Sequence, residues 1–201
     1  MKNYSVSDII WVMEKKKNYS VFTNDIAPFN LNIVGIRASD PKPNAFNDMM
    51  KVFWFYRGVC NVLAMPCTTL AGLYYLEKPI NPKGCAILKE GQYKGCYALG
   101  LHNGKYEALC QTLGEVTVYR DNDKDVEYDM IDATEETGYF GINIHRANAK
   151  NESLDVDKWS AGCQVIQNPH IYDTFISACR ESSEIWGNSF TYTLLNEKDF
   201  E

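Results

Sequence analysis

The sequence predicts a mainly β domain, a sandwich or barrel with one or two short helices. Three observations predict it. Short apolar runs rich in β-branched and aromatic residues recur along the chain, among them Val52–Tyr56, Cys85–Leu88 and Phe190–Leu195. Turn-forming pairs such as Arg57-Gly58 and Asn103-Gly104 separate such runs at short intervals. Only one stretch, late in the chain, has a long helical period. This spacing suits antiparallel strands rather than alternating strands and crossover helices.

The elements follow in order. Ser5 precedes Ile9, Ile10, Val12 and Met13, with Asp8 three residues on, which predicts a capped short helix ending near Lys17. Asn30–Arg37 reads as a strand. Asp40–Asn44 holds two prolines that cannot donate to a ladder, so it reads as a loop. Val52–Tyr56 and Val59–Ala64 flank Arg57-Gly58 and read as a hairpin with a tight turn. Pro79–Gly84 is a turn region. Cys85–Leu88, Tyr93–Leu101, Tyr106–Leu113 and Val116–Tyr119 read as short strands, and the alternating Tyr139–Ile144 reads as another that ends at His145. Asn168 suits a helix N-cap and Pro169 the first helical position, with Ile171, Phe175, Ile176 and Cys179 on one face. Residues 1–40 are expected to form an N-terminal helix and extension, and residues 41–201 the main β domain.

The 201 residues carry a net charge of −6, and 45% of them are apolar. That is enough to build one sizeable core. The single basic run, Lys15–Lys17, suits a solvated helix end. Nucleic acid is therefore excluded as a partner, because phosphate binding needs clustered Lys and Arg. No run reaches the length of a membrane span. The N-terminal apolar stretch is short and broken by Asp8 and Glu14, unlike a secretory signal. The seven cysteines are an odd number without framework spacing, which predicts free thiols made in a reducing compartment. Oligomeric state is left open.

Chemistry concentrates in Ile142–Ile166. A cysteine acts as a nucleophile once a base takes its proton, and histidine is the usual base. Cys163 follows Ser160, Ala161 and Gly162, small residues that leave space beside it, and His145 lies eighteen positions upstream. An imidazolium paired with this thiol would lower its pKa. The Gly162 and Cys163 N–H groups are candidate oxyanion donors, and Ser160 is placed to cap a turn. The Arg146 carbonyl is placed to fix the His145 tautomer. Arg146, Trp159 and Gln164 are candidate substrate contacts, and Tyr93 and Tyr97 candidate cleft residues. His102 and His170 read as turn or surface residues.

The order histidine, eighteen residues, then Ser-x-Gly-Cys resembles the L,D-transpeptidase (YkuD) family. The matching positions are His145, Ser160, Gly162 and Cys163, and the resemblance spans residues from about 85 to 195. It implies a YkuD-like β fold and a thioacyl intermediate formed on peptidoglycan stem peptides, with no cofactor. The family usually has Gly where this chain has Arg146, often His where it has Ala161, and Arg or Asn where it has Val165. These departures alter the pocket and leave nucleophile and base in place. A wall-active enzyme without a signal peptide would be made in the cytoplasm and reach the wall by another route, for instance as a phage or prophage product.

The acidic run Asp121–Asp132 places Asp121, Asp123, Asp125, Glu127, Asp129 and Asp132 at the ligand positions of a calcium loop. Val126 stands where that loop needs glycine. A solvated acidic loop without metal is expected.

Overall fold

A computed structural model describes residues 2–130 and 134–201. Among them, eleven strands run in chain order: β1 (Asn32–Arg37), β2 (Asp48–Tyr56), β3 (Val59–Thr68), β4 (Cys85–Leu88), β5 (Gly91–His102), β6 (Tyr106–Gln111), β7 (Val116–Asp121), β8 (Thr134–Gly138), β9 (Ile144–Arg146), β10 (Gln164–Ile166) and β11 (Phe190–Asn196). The fold is mainly β. Eight strands close a barrel in the order β1-β11-β5-β6-β9-β10-β3-β2, and β4-β7-β8 form a separate sheet. The pairs β1–β11 and β9–β10 are parallel.

Three α-helices accompany them, against the one or two short ones expected. They are α1 (Val6–Trp11), α2 (Leu73–Glu77) and α3 (Pro169–Trp186). Ser5 and Asp8 form a capping box on α1, which runs on into a π-helical turn at Val12–Lys16. Asn168 caps α3 and Pro169 opens it. The α3 face bearing Tyr172, Phe175, Ile176 and Cys179 joins the main core with Val52, Leu109, Ile144 and Ile166 from the barrel. The β2–β3 hairpin turns on Arg57 (φ 52°) and Gly58 (φ 75°), the double positive φ of a two-residue turn that matches strand twist.

Two expectations change. Residues 1–40 are not an extension, because β1 sits in the barrel between β2 and β11. Ile9, Val12 and Met13 also pack on Val34, Ile36 and Phe53, burying side chains worth about 2 kcal/mol each. Tyr139–Asn143 is not a strand. The buried Gln111 side chain takes the place of a ladder: its Oε1 accepts from the N–H groups of Phe140, Gly141 and Ile142, at 3.0, 2.9 and 3.2 Å. Its Nε2 donates to the Gly114 and Gly138 carbonyls. A segment satisfied this way needs no strand partner. Pairing resumes only at β9, which places His145 within a strand.

The barrel and the small sheet are tied by Arg37, which is fully buried. Its Nη2 donates to the Leu88 carbonyl on β4 at 2.8 Å, and its Nε to Thr69 Oγ1 at 2.9 Å. Glu90 supplies the opposite charge at 3.0 Å. A buried guanidinium is tolerated only when paired and hydrogen-bonded in this way.

Candidate active site

The cysteine loop is held from within. The Ser160 hydroxyl donates to the Cys163 carbonyl at 2.8 Å and accepts from the Gly162 N–H at 3.1 Å. Gly162 has φ 128°, and a Cβ there would lie 2.2 Å from the Ala86 carbonyl oxygen of β4. Only glycine fits that close approach. This fixes where the loop meets the small sheet, and the chain then enters β10.

Parallel pairing sets His145 beside Val165 and Ile144 beside Gln164. Side chains alternate across a strand. Ile144 and Ile166 therefore enter the main core, whereas Cys163 and Val165 pack on Phe46, Ala147 and Val156 outside it. Gln164, expected to meet substrate, falls on the inner side. It is fully buried and accepts from the Tyr192 hydroxyl at 2.9 Å, so it does not reach the site. The tyrosines expected near substrate are not there either. Tyr97 is wholly buried, and the Tyr93 hydroxyl donates to the Lys89 carbonyl.

Cys163 and His145 line one cleft of about 580 Å³ between the barrel and the small sheet. His102, Arg120, Asn143 and Trp159 line it too. A second cleft, about 420 Å³, shares His102, His145, Lys158 and Trp159, and adds Lys105, Tyr106 and Arg146. Among the described residues, neither cleft has an acidic side chain in its walls. Arg146 lies over the Tyr106 ring, 4.1 Å from its centroid. Trp159 is 42% exposed and flanks both clefts.

The tautomer of His145 follows from its partners. Nδ1 lies 2.8 Å from the Arg146 carbonyl, which can only accept, so Nδ1 carries the proton and Nε2 the lone pair. The Tyr106 hydroxyl donates to the same carbonyl at 3.3 Å. Burial pushes the His145 pKa down to about 3, helped by His102 beside it. Burial likewise pushes the Cys163 thiol up to about 11. Its Sγ donates to the Gly141 carbonyl at 3.4 Å. The lowered thiol pKa expected from the sequence is therefore not found. At rest the pair is a neutral thiol and a neutral base, because taking both out of water disfavours either charge.

The oxyanion expectation narrows in the same way. The Gly162 N–H is used by Ser160, whereas the Cys163 N–H makes no hydrogen bond among the described residues. His102 is the residue that sequence reasoning missed. Its ring stacks on that of His145 with centroids 4.1 Å apart and planes at 23°. It arrives from the end of β5, 43 positions upstream, with no local signal that points to His145. His170 is exposed, as expected.

All seven cysteines are free. Cys60 is exposed, Cys163 half-buried and the other five buried. The acidic run departs from a fully solvated loop. Asp121 is buried, and its carboxylate lies within 4.8 Å of those of Asp123 and Asp129. Burial and these neighbours raise its pKa to about 6. Asp132 lies outside the described residues. No described helix is long and apolar enough to cross a membrane. No known family, curated protein or solved structure matches the chain.

Proposed function

We propose that the chain is a peptidoglycan-active cysteine acyltransferase with a YkuD-like catalytic core, acting on the L,D-peptide bond of tetrapeptide stems. The observation that carries the reading is that Cys163 shares a cleft with His145, whose Nε2 lone pair is left free by the bond from Nδ1 to Arg146. In this mechanism His145 Nε2 takes the thiol proton as sulfur adds to the carbonyl carbon. The Cys163 N–H holds the oxyanion. The imidazolium then gives its proton to the leaving amine, and a thioester remains. An amine acceptor resolves it to a cross-link or an exchanged residue, and water resolves it to a shortened stem. The cationic walls, with Arg146 and Lys158, favour a substrate bearing free carboxylates. Action at the wall is part of this proposal.

The test is incubation of purified sacculi rich in tetrapeptide stems with wild type and with Cys163→Ala, followed by mass spectrometry of the digested muropeptides. Loss or exchange of the terminal D-residue by wild type alone supports the reading. Identical profiles overturn it. Cleavage of another bond marks an amidase or peptidase instead. The thiol held near pKa 11 favours a second reading, a non-enzymatic domain such as a virion or wall-binding component. In that case native Cys163 would alkylate no faster than an unfolded cysteine.

A further inference from the structure

The stacked rings of His102 and His145 have fixed and different tautomers. The Asn143 carboxamide cannot rotate freely, because its Oδ1 accepts from the Gln111 N–H at 2.9 Å. Its Nδ2 therefore donates to His102 Nδ1 at 3.1 Å. A nitrogen that accepts has no proton, so His102 is neutral and its Nε2 carries the hydrogen; the exposed Asn103 amide, whose Nδ2 lies 3.0 Å from that nitrogen, must turn over so that its Oδ1 accepts. Protonating His102 at Nδ1 would break the Asn143 bond. We propose that His102 is a positioning residue for Cys163 chemistry: its neutral ring receives the imidazolium that forms on His145, and its own protonation switches the site off. This rests on Cys163 and His145 being nucleophile and base.

The charge argument is direct. When the S–H bond of Cys163 breaks, the proton moves to His145 Nε2 and the sulfur keeps the electron pair. The cation so formed lies 4.1 Å from the His102 ring, where a neutral π face attracts it and a second cation repels it. The charged and titratable groups that share the two clefts with the pair include Tyr106 on β6, Lys105 in the β5–β6 turn, Arg120 on β7, Arg146 on β9, and Lys158 and Cys163 from the loop before β10. Among the described residues that line these clefts none is a carboxylate, so none of them compensates a doubly protonated pair. Burial and Lys105 already hold the His102 pKa below its ordinary value, in keeping with a ring that stays neutral.

The experiment uses a Cys60→Ser background and follows alkylation of Cys163 by iodoacetamide between pH 4 and 8. The His145-dependent component is the rate lost in His145→Ala. We expect His102→Phe, which keeps a stacking face, to retain that component within about 3-fold at pH 7.5. Its acid limb should move to lower pH by roughly a unit. Asn143→Asp, which turns the donor at Nδ1 into an acceptor, should move the limb upward. That shift should vanish in the His102→Phe background. An unmoved limb in His102→Phe, whatever its rate, shows that His102 merely packs and overturns the proposal alone. No rate loss in His145→Ala overturns the base assignment, and the proposal with it. If His102→Phe fails to fold, Asn143→Asp decides: an unmoved limb there also overturns it.

Discussion

The Ser160 hydroxyl spans its own loop to the Cys163 carbonyl at 2.8 Å while accepting the Gly162 N–H. One buried oxygen thus sets the backbone on both sides of the thiol-bearing residue. The hydroxyl holds the loop through these backbone bonds. Ser160→Ala should cost about 2 kcal/mol, since it leaves a buried N–H and a C=O unpaired. Denaturant unfolding checks this, and a loss below about 0.5 kcal/mol would place the loop's stability elsewhere.

Acid should destabilise the fold through His145. Its folded pKa, about 3, lies below the ordinary 6.5, so between these values the unfolded chain binds more protons than the folded one. Stability therefore falls as pH drops through 6.5 toward 3, by at most about 1.4 kcal/mol per pH unit. His145→Gln should flatten that slope in melts at pH 7, 6, 5 and 4. An equal slope in both proteins would assign the acid sensitivity to other groups.

Gln111 should be a fold determinant although it lies in no catalytic arrangement. Gln111→Ala strips three N–H and two C=O groups of their partner, at a cost of about 3 kcal/mol or more. Hydrogen exchange at Phe140, Gly141 and Ile142 should then accelerate ahead of the strands. Unchanged protection at these amides would refute the role.

The thiols should react in an order set by exposure. Cys60 is the exposed one, so it should be alkylated first near neutral pH, ahead of Cys163 with its raised pKa. Titration in denaturant without reductant should find all seven. Peptide mapping after a short iodoacetamide pulse reads the order directly, and early labelling of Cys163 would show that its thiolate is more accessible than burial implies.

Much of this architecture was legible in the sequence because local signals were strong. Ser5 with Asp8, Asn168 with Pro169, and Arg57-Gly58 each specify a cap or turn through nearby backbone groups, and each is found in place. The segment before His145 was misread because alternation in Tyr139–Ile144 mimics a strand, whereas a distant glutamine satisfies its backbone. Cys163 and His145 share a cleft as their spacing suggested. Gln164 was misassigned because sequence adjacency to Cys163 does not reveal which side of β10 a residue takes. His102 was invisible for a different reason: stacking between strands depends on barrel closure, which no local pattern encodes.

Barrel closure also governs how this chain can be shortened. A fragment beginning at residue 41 looks attractive, since it keeps the whole Cys163 and His145 region. It would remove β1, the staple between β2 and β11, and with it the Arg37 clasp to β4. The seam would open into two bare strand edges, each offering unpaired backbone groups to a neighbouring chain. Such a truncation should yield an aggregating ribbon rather than a minimal folded domain, so the smallest folding unit starts ahead of the helix at Val6.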